Sequence, residues 1–145
     1  MILSSLARML SLALARRLLE AAEEEADRQG LKLAFSIVDQ GGHLVAVARM
    51  DGAPWITPEV ATGKAWTAAA YGHPSAAEGE KAKNLIAFAG AISTATGGRY
   101  TPQIGGLPIT VDGEHAGGMG ASGAKGEQDE AVVRAALESV FGEES

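Results

Sequence analysis

Lys64 is the residue with the most chemistry within reach. Helical spacing places Val60, Thr67 and Tyr71 on its face. An ammonium among apolar and hydroxyl groups can hold a carboxylate, and burial can lower its pKa enough for it to serve as a base. The plainer alternative is a lysine whose stem packs while its head reaches water. Glu59 precedes Lys64 by five positions, roughly 140° around a helix. The two therefore do not pair directly, although both can line one cleft. Arg49, ending an apolar run, is a second cation for a carboxylate or else a surface charge. His43, His73 and His115 are the three histidines. No spacing among them and the acidic residues forms a metal site, so His43 and His73 read as structural or exposed, and His115, grouped with Met119, as a surface or subunit-contact face or else a ligand-facing patch. The absence of cysteine removes disulfides, thiol nucleophiles and thiolate zinc sites, and is compatible with a reducing cytosol.

A second stretch invites a different reading. Gly118-Met-Gly120-Ala-Ser-Gly123 matches GxGxxG between a strand and a helix. Dinucleotide binding needs a further parallel strand and an acidic residue about 20 positions on, and none follows the last helix. The glycines are read instead as letting the last helix and a neighbouring element approach the sheet closely. Anion binding at the helix start is opposed by Glu127, Asp129 and Glu130. Ser122 sits in Ala-Ser-Gly and does not form a nucleophile elbow.

The elements that must position these residues follow from periodicity. Ser11 caps a helix with apolar Leu14, Leu18, Ala21 and Ala22, closed by Gly30 and carrying a solvated Glu23–Glu25 face. Leu31 to Asp39 and His43 to Met50 form a hairpin around Gln40-Gly41-Gly42. Leu33, Phe35 and Ile37 share one face, as do Val45 and Val47. Thr57 caps the next helix, Pro58 starts it, and His73-Pro74 stops it. Its Ala61, Ala65 and Ala68 suit close packing. Ser75 and Glu78 have capping-box spacing, opening a helix over 76–89. Residues 90–98 are poorly specified, broken by Gly97-Gly98, and 100–103 read as a short strand. Leu107 to Val111 and Glu114 to Ala121 form a second hairpin about Asp112-Gly113, in a register pairing Ile109 with Ala116. That register puts His115 and Met119 on one face with Thr110. The last helix spans Gly126 to Phe141.

This order gives an α+β fold: one domain over 1–145 with 1–10 as an extension, and an antiparallel sheet of about five strands packed with N- and C-terminal helices. The net charge of −6 and the absence of a basic run set nucleic acid aside. Arg8, Arg16 and Arg17 interrupt the apolar N-terminus, which reads as neither a signal peptide nor a membrane span. A soluble, cytoplasmic protein is expected.

Three stretches carry a resemblance: Ile37 to Val45 with Arg49-Met-Asp-Gly52; Glu59 with Lys64 to Ala69; and Gly105 to Ile109 continuing through Ser122-Gly123 to Glu127-Gln-Asp-Glu130. From Leu12 onward the chain resembles the GlcG/HbpS-like family, which includes the C-terminal domain of PduO-type proteins. The resemblance implies a profilin- or PAS-like sandwich that assembles into homo-oligomers. Some members bind haem, and PduO-type relatives are associated with corrinoid metabolism. The expected function is thus a small-molecule-binding domain for haem or a related tetrapyrrole. Lys64 and Arg49 would engage carboxylates, Thr67, Tyr71 and Glu59 would line the site, the patch of His115 and Met119 would face the haem if it is not a surface or subunit contact, and His115 or His43 would serve if iron is ligated. One alternative is a metal-free enzyme using Lys64 and Glu59 as acid and base on a small organic acid. Another is a ligand-free accessory oligomer.

Overall fold

The computed structural model describes residues 10–142. Residues 1–9 of the expected extension lie outside them. In chain order the elements are α1 (Leu12–Arg28), β1 (Ala34–Asp39), β2 (Leu44–Arg49), α2 (Thr57–Tyr71), α3 (Ser75–Asn84), α4 (Ile86–Ala95), β3 (Gly106–Val111), β4 (Glu114–Ser122) and α5 (Gly126–Phe141). The strands form one antiparallel sheet in the order β2-β1-β4-β3. Leu33, Phe35, Ile37, Leu107, Ile109 and Met119 are buried on one face, against Ala15, Leu18 and Ala22 of α1 and Val132, Val133 and Ala136 of α5. The other face carries Val38 and the glycines of β4, and α2 lies on it through Ala65 and Ala69. The α+β expectation holds, with helices on both faces.

The first helix begins and ends as its sequence dictates. Ser11 Oγ accepts from Leu14 N at 3.0 Å. Gly30 takes φ +70°, and Leu31 N donates back to the Ala26 carbonyl at 2.9 Å, which satisfies the last turn.

Several local expectations are corrected. Among the described residues the sheet has four strands, because 100–103 is not one of them. There the Thr101 N–H donates to Thr67 Oγ1, Pro102 has no N–H, and Gln103 N turns back to the Thr101 carbonyl, so no ladder forms. The expected helix over 76–89 is two helices, divided at Leu85, whose φ of −133° and ψ of 57° are not helical. The second of them runs through residues expected to be irregular, until Gly97 and Gly98 end it at φ +65° and +82°. Ser75 and Glu78 form no capping box. Ser75 Oγ instead accepts from Gly106 N at 2.9 Å and bonds the Gln103 carbonyl, tying α3 to the start of β3. Thr57 Oγ1 donates to the Pro54 carbonyl and does not cap α2.

Two bulges change the expected faces. At the Asp112-Gly113 turn both residues have positive φ, as a type I′ hairpin requires. Val111 pairs with Glu114 and Thr110 with His115, but Ile109 pairs with Gly117, so Ala116 is the extra residue. The slip moves Met119 opposite Leu107, into the α1–α5 core, and turns Gly118 and Gly120 towards α2. His115 and Met119 therefore do not share a face. Similarly Val38 pairs with Leu44 and Ile37 with Ala46, leaving Val45 in a bulge, and Val45 and Val47 separate.

Candidate functional site

α2 positions most of the candidate residues. Ala61, Ala65 and Ala68 are fully buried. A Cβ on Gly118 would collide with the Ala65 carbonyl, and one on Gly120 with the Ala61 carbonyl. Gly118 and Gly120 thus serve close packing, but of α2 on β4 and not of the last helix, while Gly123 lies against the Lys32 and Leu33 backbone. Lys64 lies on this packed side and is 5% exposed. Its Nζ donates to the Ala121 carbonyl at 3.0 Å and to Asp129 Oδ2 at 3.1 Å. Asp129 is 1% exposed and accepts from Ala124 N at 3.0 Å through Oδ1. Burial pushes its carboxyl above the ordinary value; the Lys64 ammonium and the Ala124 N–H oppose this without cancelling it. The ion pair lines a cleft of about 380 Å³ together with Val60, Gln103, Ile104 and Ser122. Asp129 is the partner that sequence reasoning missed. Its place in the first turn of α5 reads as helix-dipole complementation, and no local pattern links it to a residue 65 positions earlier.

The other expected site residues are dispersed. Glu59 is exposed in the first turn of α2 and is not among the residues lining this cleft. Arg49 is exposed at the end of β2. Thr67 is buried with its hydroxyl fully engaged, donating to the Gly63 carbonyl and accepting from Thr101 N, both at 2.8 Å. Tyr71 is 39% exposed and stacks on His73, with centroids 5.8 Å apart and planes 9° from parallel.

Tyr71 borders a second cluster around Glu78. This fully buried carboxylate accepts from Tyr100 OH at 2.8 Å, contacts His73 Nε2 at 2.8 Å and pairs with Lys81 Nζ at 3.3 Å. Burial raises the Glu78 pKa, but the three donors outweigh it and hold the carboxyl below its ordinary value. Burial, and then the adjacent carboxylate, push the Tyr100 phenol upward. Capping-box spacing concealed Glu78, since it assigned that side chain a local backbone partner.

The histidines differ in which nitrogen is free. An ionised carboxylate and a carbonyl can only accept, so the nitrogen facing one carries the proton. His73 faces Glu78 with Nε2, and His115 faces the Ala69 carbonyl with Nε2 at 2.8 Å. Each retains only Nδ1, the nitrogen beside its own backbone. His43 is the reverse: Nδ1 lies 3.3 Å from Asp39 Oδ1, the side chain is 83% exposed, and the outer Nε2 is free. The same Asp39 oxygen accepts from the N–H groups of Gly41 and His43 and fixes the turn. Trp66 of α2 packs against this turn so closely that a Cβ on Gly42 would lie 2.7 Å from its Nε1. The Arg99 guanidinium sits 5.6 Å from the Trp66 ring centroid. Leu44, next to His43, is 56% exposed. The turn thus carries an exposed histidine followed by an exposed aliphatic side chain, an indole packs against it at Gly42, and an arginine lies beside the indole.

Comparison with known proteins places this geometry. Residues 10–138 match the family described as haem degrading protein HbpS-like. The chain belongs to the HbpS-like family. It is similar to Protein GlcG of Escherichia coli (strain K12), with 34% identity over 114 residues, 79% of this chain and 81% of that protein. Among solved structures it resembles the PduOC:heme complex, with a TM-score of 0.80 and 30% identity over 89% of this chain and 93% of that one. It also resembles a double mutant of HbpS from Streptomyces reticuli, with a TM-score of 0.79 and 27% identity over 90% and 86%. Among the described residues, no three metal-ligating side chains cluster, and no helix is long and apolar enough to cross a membrane.

Proposed function

We propose that this protein binds haem or a closely related tetrapyrrole on the surface where the β1–β2 turn meets α2. The observation that carries the reading is the orientation of His43. The Asp39 carboxylate lies 3.3 Å from its Nδ1 and the side chain is 83% exposed, so the outer Nε2 is the nitrogen open to a metal. The surroundings fit the group. Trp66 and Leu44 offer apolar surface to a macrocycle, and Arg99 offers a guanidinium to a propionate. Lys64 is less suited to that task, because Asp129 already neutralises it. Bound haem would supply a redox-active iron; the chain's own residues would hold and orient it. A relative of similar fold was crystallised as a heme complex, which supports the same ligand class.

Titration with haemin tests the reading. The wild-type chain is expected to give a saturable Soret shift. His43→Ala is expected to abolish that shift, and Arg99→Ala to weaken binding about three- to tenfold, as the loss of one charge-assisted hydrogen bond implies. Both side chains are exposed, so both variants should keep the wild-type circular dichroism. An unsaturable wild-type titration, or a His43→Ala spectrum identical to wild type, refutes the assignment.

A further inference from the structure

We propose that the cleft over the Lys64–Asp129 pair is a second binding site, for a small neutral oxygen-rich molecule of the polyol or hydroxy-carbonyl class. It is separate from the surface assigned to haem and uses none of its residues. Ser122 is the first argument. It is only 9% exposed and lines the cleft, yet its hydroxyl has no hydrogen-bond partner among the described residues. No fully buried polar side-chain atom among the described residues lacks a partner, so the unpartnered Ser122 hydroxyl keeps some exposure, and Ser122 lines the cleft. The second argument is Lys64. Its ammonium has three donors, and Ala121 and Asp129 take two of them. Two donors therefore remain at one wall of a small cleft.

Charge selects the ligand. Lys64 and Asp129 cancel, and Glu127 at the lining adds a negative charge. A carboxylate ligand would meet that charge with no unpaired cation among the lining residues, and a cationic ligand offers no acceptor to the two donors. A neutral molecule with neighbouring oxygens satisfies both. Val60 and Ile104 provide apolar contact for its carbon chain, and the Gln103 amide can both donate and accept. A volume of about 380 Å³ is at the small end for ligand sites. The ion pair also fits a site better than a purely structural device, because buried pairs contribute little net stability compared with apolar packing.

The test is a titration of the full ¹⁵N-labelled chain with erythritol and with hydroxyacetone, with acetate and succinate as anionic counterparts. At least one neutral probe is expected to give saturable shifts at the Ser122 amide and at that of Gly105, which lies against the Lys64 side chain, with millimolar affinity. Ser122→Ala should weaken that binding about three- to tenfold while leaving a dispersed, native spectrum. Gln103→Ala, at an exposed position, should weaken it less. His43→Ala should bind the neutral probes as wild type does, which separates this site from the haem reading. Saturation by neither neutral probe, tighter binding of acetate or succinate, or unchanged affinity in Ser122→Ala overturns the proposal.

Discussion

Removing Lys64 should leave Asp129 buried with one backbone donor, and the cost of that can be bounded. In Lys64→Met the flexible thioether replaces the lysine stem at similar volume, so the main loss is electrostatic. Asp129 would keep only the Ala124 N–H. A carboxylate stranded at 1% exposure can always escape by taking a proton. From its ordinary value of 3.8, protonation at pH 7 costs about 4 kcal/mol, since one pH unit is worth about 1.4 kcal/mol. That figure is the ceiling on the electrostatic loss. The same reasoning gives about 2 kcal/mol at pH 5. The sign follows from linkage: the variant raises the folded-state pKa further, so its deficit grows as pH rises above the unfolded value. Asp129→Asn is the counterpart: it keeps the side-chain shape and an acceptor for Ala124, but leaves the ammonium without its carboxylate. The combined Lys64→Met/Asp129→Asn variant should lose the pH dependence of Lys64→Met and should be more stable at pH 7 than either single variant. Urea unfolding followed by circular dichroism at pH 5 and pH 7 measures all of this. A Lys64→Met deficit that does not change between the two pH values, or a loss below about 1 kcal/mol at pH 7, would refute the picture of a dry ion pair.

Two further outcomes follow from the packing and the Glu78 cluster. Gly118→Ala should destabilise by about 1–3 kcal/mol, because its methyl group meets the Ala65 carbonyl and the Ala69 N–H; thermal melting with an unshifted midpoint would contradict the close approach of α2 to β4. Glu78 contributes stability above its ordinary value of 4.5 that is lost as pH falls through its lowered folded value. Glu78→Gln should therefore be less stable than wild type at neutral pH, with the gap closing below about pH 4.5; a pH-independent gap would show that the carboxylate charge is not what the donors stabilise.

The start and stop of the first helix and the packed face of α2 were legible because they depend on near neighbours in the chain. Ser11 and Gly30 bound α1 as their types dictate, and the alanine face of α2 is the face that packs. Where a side chain had both a local and a distant option, the local pattern misled. Ser75 and Glu78 have the spacing to cap each other, yet Ser75 ties down Gly106 and Glu78 gathers Tyr100, His73 and Lys81. Once buried, each has more to gain from several partners than from one exposed backbone group.

By itself the sequence determined the α+β class, the hairpins and the family, all of which rest on short-range periodicity and ordered motifs. It also marked Lys64 as a residue surrounded by apolar neighbours. Only the tertiary structure decided what faces it. One bulge residue, Ala116, reverses the faces of the rest of β4, sending Met119 into the core and the glycines under α2. The closing of α5 onto the sheet then brings Asp129 to Lys64. A period-two pattern carries no record of an inserted residue, and a contact between positions 65 apart exists only once the layers have packed.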